Sequence, residues 1–386
     1  MMPFTFSRFP ELHFGAGCLS DLPDILTRRK IGKVLVVSGG FFTSTGAYGR
    51  LTGGLESSGI RAVYRTVTGE PSPETVDNLV RVYRDQKCVG IISIGGGSVI
   101  DAGKAAAAGT AMDKPVKTYL EGVGSEQPPG DACFFAAVPT TSGTGSEATK
   151  NAVLSTVGPD GFKKSLRHED YIPGAAFLDP ELTASCPPGV TAASGLDALT
   201  QLIEAYVSVK SNRLTDMLSR DGITAAGKSL ERAVREGSSI DARAGMAYAA
   251  FISGVCLANA GLGVVHGIAS PAGALRPVPH GTVCGLLLPG SIEMTCREAG
   301  NCHPAVKKYS EASVLFTGLD SGSDLENCEL LVSKIREIIR LGGLSSLRDY
   351  GFSNRDAELI AEKSSLKNHP VHLDTGLITE LIKEAL

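Results

Sequence analysis

Val89–Ala105 reads VGIISIGGGSVIDAGKA. Its first six residues, Val89–Ile94, are a continuous apolar run of strand length. Gly95, Gly96 and Gly97 break the run, and Ser98 opens a stretch of helical spacing. A strand that turns through glycines into a helix points backbone N–H groups and the positive end of a helix at the turn, which suits phosphate. The spacing is neither G-x-G-x-x-G nor a Walker loop, so this turn alone is equally an ordinary tight connection.

Similar runs lie on either side. VLVVS (Val34–Ser38), AVYRT (Ala62–Thr66) and FFAAVP (Phe134–Pro139) read as buried strands, and AAFLDPEL (Ala175–Leu182) as the last one. Ser72, Pro73 and Glu74 are a helix start, with a cap oxygen, proline in the first turn and an acid at the positive end. Strands alternating with helices predict a parallel, doubly wound sheet. A second loop rich in hydroxyls and glycine, PTTSGTGSEA (Pro139–Ala148), also follows a strand. Two such loops at strand carboxyl ends stand where open sheets bind nucleotides, so a dinucleotide site is the better reading. The first strand ends at Ser38-Gly39-Gly40, without the carboxylate that would bind the ribose of NAD and repel the phosphate of NADP.

After Cys186-Pro187-Pro188 apolar residues recur at helical spacing and strand-like runs nearly vanish. We therefore expect an α/β dinucleotide-binding domain over 1–184 and an all-α metal and substrate domain over 185–386, with Asp241 capping a long helix. Here Gly261–Gly281, GLGVVHGIASPAGALRPVPHG, carries two of the seven histidines, His266 and His280, among small residues. Asp197, Gln201 and Glu204 are spaced i, i+4 and i+7, on one helical face. A carboxylate with two imidazoles suits a divalent metal with an open position. A helix cap or a buried salt bridge is the other reading of Asp197.

The formal charge of −4 and the lack of a basic block argue against a nucleic-acid partner. No signal peptide is recognised, and no apolar run reaches the length of a membrane span. Nine scattered cysteines without a C-x-x-C pair suggest neither a disulfide framework nor a cysteine zinc site, and fit a reducing cytoplasm.

Taken in order, GGGSVID, PTTSGTGSE, SGLDAL, GLGVVHG and PHG resemble the iron-containing (group III) alcohol dehydrogenases nearly end to end. That family shares a fold with glycerol dehydrogenase and dehydroquinate synthase. The resemblance implies a Rossmann-like domain followed by a helical one, with the active site in the cleft between. It implies that Gly96, Gly97, Ser98, Thr140, Thr141 and Thr144 hold NAD(P), and we add Gly39, Gly40, Ser72, Asp101 and Ser146 to the expected set. It also implies divalent metal ligation, by Fe²⁺ or Zn²⁺, through Asp197, His266 and His280.

Two departures stand out. Gln201, a further candidate metal residue able to serve a hard ion or hold a water, occupies the place of a family histidine, although glycerol-dehydrogenase-like members manage with three protein ligands. Ser270 replaces a second histidine thought to relay protons, so Ser270, a water or a ribose hydroxyl would take that role. The missing acid at Gly39 leans towards NADPH or dual use. The expected reaction is hydride transfer between nicotinamide and a small alcohol or aldehyde, with the metal polarising the substrate oxygen. A metal-free reductase of the same fold and a silent nucleotide-binding protein stay open. A lyase like dehydroquinate synthase is set aside, because too few lysines and arginines cluster around the site. Lys150 and Arg276 either face the cleft, which would suit an anionic substrate, or are solvated. A homodimer or higher homo-oligomer is expected, with FTFSRFPELHFG (Phe4–Gly15) able to pair as a strand with a second subunit.

Overall fold

The computed structural model describes residues 3–158 and 161–386. Among the described residues eight strands occupy the first half: β1 Glu11–Phe14, β2 Lys33–Ser38, β3 Arg61–Thr66, β4 Gly90–Gly95, β5 Phe134–Pro139, β6 Asn151–Thr156, β7 Phe162–Arg167 and β8 Ala175–Leu178. Four helices lie among them: α1 Leu22–Arg28, α2 Gly46–Ser57, α3 Pro73–Asp85 and α4 Gly97–Gly109. The remainder is helical: α5 Pro188–Val207, α6 Arg213–Arg235, α7 Ile240–Ala260, α8 Val264–Leu275 and α9 His280–Ala299, then α10 Pro304–Thr317, α11 Asp324–Leu341, α12 Asn354–Lys363 and α13 Thr375–Glu384.

Six strands form one sheet in the order β1-β8-β5-β4-β2-β3, every pair parallel. The apolar runs are continuous because both faces are covered. Val34 and Val36 enter one core while Leu35 and Val37 enter the other. Ser38 pairs with Ile94 and Gly95 with Pro139, so the loops after β2, β4 and β5 leave the same edge of the sheet.

Several details differ from the sequence reading. Glu11–Phe14 pairs within its own chain, Glu11 opposite Ala175, and so forms an edge strand of the main sheet. β6 and β7 form an antiparallel hairpin that the search for continuous apolar runs misses. Its buried apolar residues, Ala152 and Leu154 on β6 and Leu166 on β7, are separated by polar or part-exposed ones, a period-2 spacing in β6. Ser239, not Asp241, stands at the N-cap of α7, and Asp241 lies in its first turn. Among the described residues α7 is long and apolar enough to span a membrane, and it lies mostly buried in the bundle. Its length hides in the sequence because Asp241 and Arg243 interrupt the apolar run.

The two halves meet closely at a pair of glycines. Gly145, with φ +60°, puts its carbonyl oxygen 2.2 Å from where a Cβ on Gly254 of α7 would stand. Both partners there are backbone, so neither can swing aside. Gly254→Ala is therefore expected to cost about 1–3 kcal/mol through overpacking. Gly49 lies on the open side of α2 with nothing near its would-be Cβ. Thermal unfolding should show Gly254→Ala melting several degrees low and Gly49→Ala at or above the parent. Equal melting temperatures would contradict this packing.

Candidate active site

A cavity of about 510 Å³ lies between the sheet edge and the helical half. Gly97, Ser98, Thr144 and Ser146 line one wall, and Gln201, His266, Ser270 and His280 the other. The glycines allow the nucleotide-side wall to close up. A Cβ on Gly97 would fall 2.5 Å from Thr144 Cγ2, and one on Gly143 2.8 Å from Ser194 of α5. The N-terminus of α4 therefore opens directly into the cavity, as anion binding requires.

One buried lysine fixes the loop between β5 and β6. Lys104 Nζ donates to the carbonyls of Ser146, Thr149 and Asn151 at 2.6, 2.9 and 2.8 Å, with the Ser146 and Thr149 hydroxyls also in reach. Burial pulls its pKa down to about 8, against the pull of Asp101 and Glu147. Asp101 accepts from Ser146 Oγ and, at 3.0 Å, from the Val153 N–H. Both of its oxygens thus brace the loop, although the residue lines the cavity.

Across the cleft, α5 carries two buried carboxylates two turns apart. Glu204 accepts from the Val265 N–H with Oε1 and meets His266 Nδ1 with Oε2, both at 2.7 Å. A carboxylate at the N-terminus of α8 satisfies a free backbone donor and favours the helix dipole. With Nδ1 bound to Glu204, His266 turns Nε2 into the cleft, where a bound cation would take the place of its proton. That nitrogen stands 3.3 Å from Asp197 Oδ1, and His280 Nε2 stands 4.0 Å from the same oxygen. Cys284, one turn after His280 on α9, brings Sγ to 3.7 Å from both Nε2 atoms. One donor atom each from Asp197, His266, His280 and Cys284 lies within 4.8 Å of all the others. Asp197 Oδ1 is buried with no hydrogen-bond partner. An orphaned carboxylate oxygen facing two imidazoles and a thiol suits a divalent cation.

Burial opposes ionisation of Asp197, but His280, His266 and the Gln201 amide outweigh it and hold the carboxyl at about 2. Burial takes His280 down to about 3, so it is neutral, and pushes the Cys284 thiol up to about 11. Burial also opposes charge on His266, yet the Cys284 sulfur, Asp197 and Glu204 raise it well above the usual imidazole value.

The other expected residues are placed as follows. Gln201 Oε1 accepts from Ser253 Oγ at 2.8 Å, which leaves its amide to face Asp197. Ser270 Oγ donates to the His266 carbonyl at 3.2 Å. Thr141 stands against Gly96, whose Cβ would lie 3.4 Å from Thr141 Oγ1, and the Thr140 N–H donates to the Gly95 carbonyl. Ser72 caps α3 through the Thr75 N–H and does not line the cavity, nor do Gly39 and Gly40. A Cβ at either glycine would meet its nearest neighbour at 3.8 Å, so the lack of an acid there is a matter of identity and not of space. Lys150 lines the cavity and pairs with Glu169, whereas Arg276 pairs with Asp356 at 3.1 Å outside it.

Sequence reasoning missed Cys284, although His280-x-x-x-Cys284 is a one-face spacing of the kind used for Asp197 and Gln201. It also missed the cations. Lys163, Lys164, Arg167, Lys363 and Lys367 face an adjoining cavity of about 590 Å³, against one carboxylate, Glu121, among the described residues. They come from β7 and, about 200 residues on, from the last residue of α12 and the segment after it, so no local cluster marks them in the chain.

Residues 10–180 match the family model for iron-containing alcohol dehydrogenase, and residues 191–386 the C-terminal model of the same family. Alcohol dehydrogenase 4 of Saccharomyces cerevisiae is 31% identical over 382 residues, 97% of each chain. Long-chain-alcohol dehydrogenase 1 of Geobacillus thermodenitrificans is 37% identical over 293 residues, 75% of this chain and 73% of that protein. The crystal structure of a 1,3-propanediol oxidoreductase superposes with a TM-score of 0.91, at 28% identity and full coverage of both chains. A parallel nucleotide-binding sheet, a helical half and a buried carboxylate–imidazole cluster between them agree with these matches, and the chain belongs to the iron-containing alcohol dehydrogenase family, a family of oxidoreductases.

Proposed function

We propose that this chain reduces a small aldehyde, or oxidises the matching alcohol, with NAD(P) and a divalent cation held by Asp197, His266, His280 and Cys284. The observation that carries the reading is the convergence of four donor atoms on one buried point beside an orphaned Asp197 oxygen. A cation held there would act as a Lewis acid on the substrate oxygen, and the dinucleotide would exchange the hydride. The chain's own groups prepare that encounter. Glu204 fixes the tautomer of His266, and Ser253 fixes the Gln201 amide against Asp197. Leu257 gives the cavity an apolar wall that keeps water out. Ser270 gives its proton to the His266 carbonyl, which leaves its oxygen as an acceptor at the place of the family's relay imidazole.

The thiol distinguishes this site from an all-oxygen-and-nitrogen set. Thiolate favours zinc among the available divalent ions, and Cys284 stands in for the imidazole that Gln201 does not supply. The absence of a carboxylate at Gly39 and Gly40 leaves room for the extra phosphate of NADPH, which supports use of both dinucleotides.

Two experiments test this assignment. The protein reconstituted with Co²⁺ should show a near-ultraviolet thiolate-to-cobalt charge-transfer band that Cys284→Ser abolishes, and chelation should stop aldehyde-dependent NADPH oxidation until Zn²⁺ is restored. A cobalt spectrum without that band would remove Cys284 from the ligand set, and turnover surviving chelation would favour the metal-free mechanism. Glu204→Gln presents an amide N–H to His266 Nδ1 and so favours the tautomer that protonates Nε2. Metal affinity is expected to fall about 10–100-fold, as for other losses of a histidine's carboxylate partner. A competition titration against a chromogenic chelator reads this, and unchanged affinity would contradict the role given to Glu204.

A further inference from the structure

The cavity behind the active site has a charge that the reaction alone does not explain. It shares Lys163, Ser165, Arg167, Ser270 and Lys367 with the catalytic cavity, so the two are continuous past Ser270. Three of the cations around them are paired: Lys163 with Glu70 at 3.1 Å, Arg167 with Glu121 at 3.4 Å, and Lys150 with Glu169. Among the described residues no carboxylate lies within ion-pair distance of Lys367. Lys367 lines both cavities, as Ser270 does, which places it where the two meet.

Lys367 is held there by the backbone. It has φ +50°, a left-handed conformation uncommon for a lysine and found where surrounding structure imposes it. The segment around it is pressed onto both ends of the α7–α8 connection. A Cβ on Gly267 would fall 1.8 Å from the Ser365 carbonyl oxygen, and one on Gly261 2.3 Å from Asn368 Nδ2. The Asn368 N–H donates to the Leu262 carbonyl at 2.9 Å. Three glycine-dependent or backbone contacts thus fix a segment whose inward-reaching Lys367 has no carboxylate partner among the described residues.

We propose that this second chamber is a subsite for an acidic group, and that the aldehyde reduced here carries a carboxylate, sulfonate or phosphonate a few bonds from its carbonyl. The inference rests on the dehydrogenase reading above and adds the substrate class. In the reaction R–CHO + NAD(P)H + H⁺ → R–CH₂OH + NAD(P)⁺, hydride adds to the carbonyl carbon and a proton to its oxygen, while the acid group of R stays unchanged beside Lys367. A dinucleotide phosphate shares this chemistry, but the N-terminus of α4 that would receive the pyrophosphate opens onto the opposite wall.

The test compares 4-oxobutanoate with 4-methylpentanal, in which an isopropyl group of similar shape stands in place of the carboxylate, using the zinc-loaded full-length protein and either NADPH or NADH. The parent should prefer 4-oxobutanoate by at least about tenfold in kcat/KM, and Lys367→Met should reduce that ratio about tenfold, the effect of one ion contact. A parent ratio near one, or a ratio that Lys367→Met leaves unchanged, would overturn the proposal. So would a Lys367→Met effect confined to the KM for NADPH, because the anion recognised would then belong to the nucleotide. Calorimetric titration with 4-hydroxybutanoate reads the subsite without turnover. Saturable binding weakened in both Lys367→Met and Lys363→Ala supports it, and no binding to the parent overturns it. Binding without turnover of either aldehyde would count against the dehydrogenase reading and not against the subsite.

Discussion

The bond from Glu204 to the N-terminus of α8 is the constraint on which the site depends. A carboxylate buried on α5 would be costly alone, but here one oxygen satisfies the Val265 N–H and the other the Nδ1 of His266. A single side chain thereby caps one helix, ties it to another and turns Nε2 of His266 to the point it shares with Asp197. Asp197 is two turns up the same face of α5, so the distance between orienter and ligand is set by helix geometry. His280 and Cys284 follow from the same logic on α9, where one turn separates them. A Cβ on Gly281 would lie 2.3 Å from the Ala193 carbonyl, which shows how closely α9 is seated on α5.

The nucleotide side depends on absences as much as on groups. Gly97 makes way for Thr144, Gly143 for Ser194 and Gly254 for Gly145, and each removes a side chain where two loops or a loop and a helix converge. Lys104 supplies the polar counterpart by gathering three carbonyls of that loop onto one buried ammonium. These contacts hold the loop after β5 between the sheet and the helical half, so that the cavity is bounded by both.

Much of this was legible in the chain. The runs at Val34–Ser38 and Val89–Ile94 gave buried strands because both sheet faces are covered and no alternation intervenes. Ser72 was recognisable as a cap from its neighbours alone. Asp197, His266 and His280 could be named because the spacing of Asp197, Gln201 and Glu204 defines a face and because motif order implied the rest. What was hidden depends on geometry. Glu204 lies on the expected face, but its orienting role requires knowing which helix end it meets. The β6–β7 hairpin is half-polar, and its alternation is the only local sign of it. Lys163 and Lys367 become neighbours only through the tertiary fold, so sequence inspection found no cluster, set aside the lyase reading on that ground and looked to Lys150 and Arg276 for an anionic substrate.

The central claim is that Asp197, His266, His280 and Cys284 together hold a divalent cation. X-ray absorption spectroscopy of the metal-loaded protein as isolated tests it most directly. The account predicts a zinc edge with one sulfur at about 2.3 Å beside nitrogen and oxygen ligands near 2.0–2.1 Å. A shell of nitrogen and oxygen alone, or protein isolated at full activity without a transition metal, would contradict it.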